Sequence, residues 1–385
     1  MLSSLELKGY RGFAQFQLTG LSRVNLLVGR NNCGKTSILE AVELLASGGN
    51  LGVLSAIAGR RGEVSSVAET PEPHRRESTA VLAHFFHGHE LGPNASFTVN
   101  SGDGLGRITV RIATLAELRE KLPETLRQIR LFEEYQEEEF RASLAVCVES
   151  TGNARVSDFP PVPITEDGAI PTRLLPRLLH ARYRGVVRRE PHRAEPVQFI
   201  SPDSLDPRSM TEMWNTVITE GRESEVIRAM QILEPSLEGV FFLSGEAPYQ
   251  YGGGAGILAA FSGIRRRDPL GSHGDGMRRL LALSLALIQS RGSVLLVDEI
   301  DTGLHYSIMG DMWRLVVEAA RQSDVQVLAT THSLDCVKGL AWLCENYPEL
   351  GTDVSVQKIH PGLDEAVALN AAAIVLADHQ NLEVR

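Results

Sequence analysis

The stretch "RVNLLVGRNNCGKTSILEAVELLA", residues 23–46, constrains this chain more than any other. An apolar run enters a glycine turn and leaves it as apolar residues at helical spacing. Within the turn, Gly29 is followed by four residues and then by Gly34, Lys35 and Thr36. That spacing between a strand and a helix is the context a phosphate-binding loop requires. Its glycines let the backbone amides around Asn31, Asn32 and Cys33 wrap a phosphate. Lys35 reaches the β- and γ-phosphates, and the Thr36 hydroxyl, with Ser37 beside it, lies where Mg²⁺ is ligated. The helix N-terminus adds its own positive dipole. The expected ligands are ATP and Mg²⁺, held by Gly29, Asn31, Asn32, Cys33, Gly34, Lys35, Thr36 and Ser37.

Two more apolar runs end in groups that suit such a ligand. "SVLLVDEI" puts Asp298 at the carboxyl end of a buried strand, where ligands of parallel sheets collect. Asp298 is therefore a second candidate metal ligand beside Thr36, and Glu299 a candidate general base for the attacking water. "VQVLATTHS" brings His332 to the same sheet edge, as a catalytic group able to bond the γ-phosphate and the water. Thr330 and Thr331 reach that edge too, with less specific chemistry. Strand, helix and strand in this order predict a parallel sheet with right-handed crossovers.

"PLGSHGDGMRRLLALSLAL", residues 269–287, is a second glycine turn opening a helix. It lacks the lysine and hydroxyl pair of the first, so it is no spare phosphate loop. Its Ser272, Gly274, Asp275 and Gly276 still form an anion-seeking end and join the nucleotide-binding candidates.

The rest of the chain divides by composition. "LSSLELKGYRGFAQFQL" alternates as a hairpin, and "STAVLAHFF", "SFTVN" and "RITVRIA" predict a β-rich lobe. Residues 113–195 read as a helical and irregular insertion, first charged and helix-prone, then rich in Pro and Arg. Glu133, Glu134, Glu137, Glu138 and Glu139 read as a solvated helix face. After it, "EPVQFISPDS" returns as a strand, "MTEMWNTVITEGRESEVIRAMQILEP" as helix broken at a glycine, and "GVFFLSGEAPYQYGGGAGILAAFSG" as a hairpin.

These motifs, in this order, resemble the ABC-type ATPases of the SMC/RecF/OLD superfamily, over roughly residues 1–48 and 195–345. More narrowly, "GDGMRRLLALSLAL", "GSVLLVDEIDTGLHYSIMGDMWRLV" and "QVLATTHSLDC" look like stand-alone bacterial ATPases related to the OLD family, many of which serve anti-phage defence. The resemblance implies an α/β fold, an ABC-ATPase-like P-loop NTPase head with a mixed or parallel β-sheet, an antiparallel β lobe and a helical insertion. The whole chain, 1–385, would then be one ATPase unit. Residues 1–112 would carry the P-loop and β lobe, 113–195 the insertion, and 196–385 the signature, the Asp298–Glu299 pair and His332. It also implies a head-to-tail homodimer with ATP sandwiched between subunits. In that alignment "GSHGD" stands for the signature, with Ser272 as its serine, Gly274 as its second glycine, Asp275 as its glutamine and His273 replacing a glycine. His305 replaces the D-loop aspartate. Gln198 is the candidate Q-loop glutamine, and Arg11 reaches nucleotide or lies on the hairpin surface. The residues after His332 are too few for a Toprim nuclease, so an effector would be a partner nuclease or toxin.

Composition limits the alternatives. A net charge of −10 argues against wholesale nucleic-acid coating, leaving DNA a possible partner only through local clusters such as Arg265–Arg267, or Arg182, Arg184, Arg188 and Arg189. The four cysteines form no C-x-x-C pair, and His84, His87 and His89 have no acidic or thiol complement at suitable spacing, so neither a disulfide framework nor a bound metal is expected there. Without a signal-peptide order or a membrane span, a cytoplasmic protein is the expectation.

Overall fold

In a computed structural model of the chain, residues 1–67, 77–102, 105–114, 117–118, 144–151, 161–164, 168–171, 197–202, 207–243 and 256–384 are described. They divide into two compact units. One comprises Met1–Ser3, Leu18–Leu39 and Glu195–Arg385, the other Ser4–Gln17 and Glu40–Ala194. Among the described residues no helix is long and apolar enough to cross a membrane.

The first unit is built on a six-stranded sheet. Its elements are β1 (Val24–Val28), α1 (Lys35–Ala46, which ends in the other unit), β2 (Gln198–Ile200), α2 (Asp275–Gln289), β3 (Val294–Val297), α3 (Met309–Gln322), β4 (Gln326–Thr330), α4 (Leu334–Asn346), β5 (Val354–Lys358), β6 (Val367–Asn370) and α5 (Ala371–His379). The strand order is β2-β3-β4-β1-β5-β6, and every neighbouring pair is parallel except β5 with β6. Every residue of β1, β3 and β4 is buried. Continuous burial without alternation is what a central parallel strand, covered on both faces, requires. The predicted parallel sheet is the one observed.

Two buried polar side chains fix the sheet's register. Asn25 on β1 donates to Ser22 O (2.8 Å) and Val327 O (3.1 Å), and its oxygen accepts the Ser355 hydroxyl at 2.8 Å. β1 is thereby pinned between β4 and β5, and a shift of one residue would strand a buried amide. Gln326 grips the backbone of Leu2 from both sides, accepting its N–H at 2.6 Å and donating to its carbonyl at 2.7 Å. Helices α3 and α4 pack closely: a Cβ on Gly339 would meet the Met309 Cβ at 2.5 Å. Trp313, fully buried, donates its indole N–H to Cys336 O at 2.9 Å.

A smaller antiparallel sheet of Leu237–Phe242, Ile257–Phe261 and Asp268–Pro269 completes this unit. It shares a core with Leu281 and Leu285 of α2 and with Met210 and Trp214 of the helix Pro207–Thr219. The two predicted strands pair antiparallel, and the helices Pro207–Thr219 and Glu223–Met230 flank Gly221, where the sequence predicts the break.

The second unit holds an antiparallel sheet in the order Phe13–Leu18, Leu5–Tyr10, Ser96–Ser101, Arg107–Thr114, Leu144–Thr151, Val162–Pro163. A three-stranded sheet of Ala169–Pro171, Glu77–Val81 and Val64–Val67 accompanies it. Where the sequence predicts a helical or irregular insertion, residues 117–118 are helical and most of the other described residues are extended. Leu144–Thr151 runs antiparallel to Arg107–Thr114 over eight residues, from Leu144 against Thr114 to Thr151 against Arg107. Its Ala, Val and Cys side chains suit a packed sheet, but their burial does not alternate cleanly. The helix-prone residues 119–143, with the five glutamates of the acidic run, and residues 172–196, with Arg182, Arg184, Arg188 and Arg189, lie outside the described residues.

Arg11 is neither a surface residue nor a free cation. It is 7% exposed, with a backbone φ of 49°. Its Nε lies 3.0 Å from Glu40 Oε2, while Nη1 and Nη2 donate to the two oxygens of Glu63 at 2.8 and 3.0 Å. The guanidinium sits over the Phe85 ring, 4.6 Å from its centroid. Glu40 also accepts from Arg61 at 2.7 Å, and Glu43 pairs with Arg60. Burial pushes the Glu40 and Glu43 carboxyls above their ordinary values and the arginines oppose it, so this is a balanced buried ion network.

Candidate nucleotide site

The parallel registers place three loop entries at one edge of the sheet. Val297 pairs with Ala329 and Thr330 with Leu27. The residues following β1, β3 and β4, namely Gly29–Thr36, Asp298–Glu299 and Thr331–His332, therefore leave the sheet together. Gln198 starts the returning strand β2, as the sequence expects, and pairs with Leu295, two residues before the end of β3.

The phosphate loop has the backbone its sequence predicts. Gly29, Asn32 and Gly34 adopt φ of 148°, 61° and 95°, values that favour glycine and, in the left-handed region, asparagine. A Cβ on Gly29 would lie 2.5 Å from Ile359 O and 2.8 Å from Cys33 Sγ, so no other residue fits there without displacement. Asn31 and Asn32 are exposed and Ser37 is buried at the start of α1.

Lys35 is 4% exposed, and its ammonium is held by three acceptors: Gly29 O at 2.8 Å, Arg30 O at 3.0 Å and His332 Nδ1 at 3.3 Å. An ammonium has three donors and no acceptor, so this contact has His332 Nδ1 as the acceptor. Cys33 Sγ stands 3.9 Å from the same nitrogen. Burial pulls the Lys35 ammonium below its ordinary pKa, and the negative groups around it, including Asp298 and Glu299, oppose that. The loop thus presents a desolvated cation tethered over its own turn, where its attraction for an anion is less screened than in water.

Thr36 and Asp298 meet across the same edge, the hydroxyl lying 3.2 and 3.1 Å from the two carboxylate oxygens. Two hard oxygen donors from different elements converge, which fits a magnesium ion completed by water and phosphate oxygens. Thr330, fully buried, ties this pair to the next residue. Its hydroxyl donates to Asp298 Oδ1 at 2.5 Å and accepts the Glu299 N–H at 2.8 Å. One hydroxyl therefore orients both acids, a role that the sequence alone did not assign to it.

Glu299 adopts φ of 48°, a left-handed conformation that costs a non-glycine residue about 1–2 kcal/mol. Its carbonyl accepts the Thr302 N–H at 3.0 Å, and Thr302 Oγ1 donates to its Oε2 at 3.0 Å. The next threonine of β4's edge, Thr331, donates to Asp301 Oδ1 at 2.6 Å and accepts the Ser333 N–H, starting α4 beneath His332. His332 itself is exposed. The candidate metal ligands Thr36 and Asp298 and the candidate base Glu299 are joined through Thr330, and Lys35 and His332 pair separately at the same edge, groups of the kind that bind a triphosphate and orient a water.

The second glycine turn stands apart from these contacts. Ser272, Gly274 and Asp275 are exposed at the start of α2. Gly274 N–H donates to Gly271 O at 3.3 Å, and Asp275 stands 3.9 Å from Arg278 of its own helix. Gly274 has φ of 89° with open space where a Cβ would go, so its glycine serves the turn and leaves the surface clear. Gly276 faces Leu304 and Gly303 at contact distance. His273 stacks on Phe261 at 4.4 Å, and His305 is exposed beside Tyr306, with its Nδ1 2.9 Å from Ser307 Oγ.

A family model described as "AAA domain, putative AbiEii toxin, Type IV TA system" matches residues 24–335. An ATP/GTP phosphatase of Helicobacter pylori is 20% identical over 351 residues, covering 88% of this chain and 87% of that protein. Among solved structures, an SMC head bound to the C-terminal winged-helix domain of ScpA aligns at a TM-score of 0.46 and 14% identity, over 96% of this chain and 98% of that one. An SMC head domain from Thermotoga maritima aligns at a TM-score of 0.40 and 16% identity, over 96% and 98%.

Proposed function

The chain belongs to the AAA domain family described as putative AbiEii toxin, Type IV TA system, and we propose that it acts as the ATP-hydrolysing sensor of a bacterial defence system, closing as a head-to-tail homodimer around ATP. It is a P-loop ATPase, converting ATP and water to ADP and phosphate. Lys35 and the amides of Gly29–Ser37 hold the β- and γ-phosphates, with the lysine's donors turned from two loop carbonyls and His332 toward phosphate oxygens. Thr36 and Asp298 hold Mg²⁺, which when bound neutralises charge on those phosphates. Glu299 orients the attacking water and takes its proton, and His332 donates its Nε2 proton to the γ-phosphate oxygens.

The observation that carries this reading is the Thr330 hydroxyl, which orients Asp298 and Glu299 together while Asp298 meets Thr36. This geometry supports Asp298 as a metal ligand and Glu299 as the base at the edge that carries Lys35. The exposed turn of Ser272, Gly274, Asp275 and Gly276 supports the dimer: an anion-seeking helix start with its face open suits a phosphate held by another subunit. A ligand bound only in the closed dimer stabilises it by its differential affinity. A nuclease or toxin is the class of effector partner that this reading calls for.

The decisive experiment compares Glu299→Gln with Lys35→Ala. The first traps an ATP-bound dimer, seen by light scattering on a sizing column, and the second loses nucleotide binding. Wild-type turnover in Glu299→Gln removes the base assignment. A second reading, a slowly hydrolysing scaffold that restrains a toxin, draws on the toxin named in the family description and is separated by steady-state turnover. A RecF- or SMC-like DNA-binding role draws less support. Of its described arginine cluster, Arg266 pairs with Asp268 at 2.8 Å and Arg267 stacks on Phe241 at 3.6 Å.

A further inference from the structure

The helix α2 carries a cation where its pattern calls for a hydrocarbon. Arg279 is 0% exposed, on the face of α2 that also buries Leu283 and Ala286. Its Nη2 donates to Glu299 O at 2.9 Å and Asp298 O at 3.1 Å, and its Nη1 donates to Ser201 O at 3.3 Å. Its Nε, equally buried, has no acceptor. No carboxylate lies within ion-pairing distance among the described residues; the guanidinium is compensated by carbonyl dipoles and, at longer range, by Asp301, Glu299 and Asp298. Leucine or methionine would fill such a position without desolvating a charge. What arginine adds is a rigid fork that holds neighbouring carbonyls at fixed angles.

The carbonyls it holds belong to a strained residue of the site and its predecessor. Glu299, at φ 48°, has its N–H taken by Thr330 Oγ1 and its carbonyl by Arg279 Nη2 and Thr302 N. Remove the arginine and one side of that clamp is gone, leaving the peptide free to relax toward right-handed φ and turn the carboxylate away.

We propose that Arg279 is a positioning residue for hydrolysis, holding Glu299 in its left-handed conformation and tying it to the helix whose N-terminus carries Ser272 and Gly274. This rests on Glu299 as the base. A displacement of α2 at its glycine turn is then felt at Glu299 through a single side chain, so engagement of that turn sets the base.

The test measures turnover, KM and affinity for a fluorescent ATP analogue in Arg279→Lys, Arg279→Gln and Arg279→Met, alone and combined with Glu299→Gln. Misplacing a base by about 1 Å costs on the order of 100-fold in rate, so Arg279→Met should lose turnover on that scale while nucleotide affinity and KM stay at the wild-type level. Arg279→Lys, which keeps a donor, should lose less. In the Glu299→Gln background the Arg279 substitutions should cost nothing further in single-turnover rate, because the group they position is already absent. Additive losses, parallel loss of nucleotide affinity, or wild-type turnover in Arg279→Met would each overturn the proposal. If Arg279→Met does not fold, the Lys and Gln variants decide by the same criteria. Wild-type turnover in Glu299→Gln alone refutes the reading of the base instead, whereas a dead Glu299→Gln beside fully active Arg279 variants refutes only the positioning role.

Discussion

Thr330 Oγ1 lies 2.5 Å from Asp298 Oδ1 and spends its proton there, so that the same oxygen is left to accept the Glu299 N–H. Thr330→Val keeps the shape of the side chain and removes both bonds. The half-buried Glu299 N–H then loses its acceptor, at a cost of about 1–3 kcal/mol, while the Asp298 carboxylate keeps only its contact with the Thr36 hydroxyl. Turnover should fall far more than nucleotide affinity does, and Thr330→Ser should restore most of it. Steady-state kinetics beside a denaturant melt separates the two effects.

Cys33 is the thiol that reagents should find. It is partly exposed inside the phosphate loop, while Cys147, Cys336 and Cys344 are buried. Burial pushes the Cys147 and Cys336 thiols up and the Cys344 thiol to about 11, and a protonated buried thiol is inert. Brief iodoacetamide treatment of the folded protein should modify Cys33 first, and Mg-ATP should slow that modification. Peptide mass spectrometry reads the outcome directly.

Ser272→Arg should leave each subunit able to bind ATP and abolish ATP-induced association. The residue is exposed and touches nothing of its own phosphate loop in the described contacts. Gly274→Ala adds strain of about 1–2 kcal/mol through its positive φ, with no clash, so a partial defect in the same assay is expected. Loss of monomer binding in Ser272→Arg would assign this turn to the chain's own phosphate.

Arg11→Met should destabilise the second unit by about 3–5 kcal/mol, because it leaves Glu40 and Glu63 without their shared cation. The pH dependence follows from Glu40, whose carboxyl burial already pushes above its ordinary 4.5 against the pull of Arg11 and Arg61. With Arg11 gone the push is less opposed. A folded-state value above the unfolded one means that the folded chain keeps a proton the unfolded chain releases. Stability is then greatest below the ordinary value and falls as pH rises through the raised one. The variant's deficit against wild type should therefore be larger at about pH 8 than at about pH 5, measured as the shift in urea midpoint.

What the sequence determined by itself was whatever contiguous residues encode. Gly29, Gly34, Lys35 and Thr36 carry their function in their spacing, and the apolar runs before Asp298 and His332 declare buried parallel strands. Those runs also announce that their ends share an edge, since parallel strands begin and end together. Tertiary structure decided which side chains meet across that edge. Thr330 reads as one of two similar threonines until β3 and β4 come into register and put its hydroxyl against Asp298. Arg279 reads as a charge at the start of an apolar helix until packing turns it inward onto the carbonyls of Asp298 and Glu299. Arg11 looks like a hairpin arginine until Glu40 and Glu63, distant in sequence, close on it. Periodicity and loop spacing are local and survive in one dimension. The partners of a hydroxyl or a guanidinium are set by strand order and helix rotation, which exist only once the chain has folded.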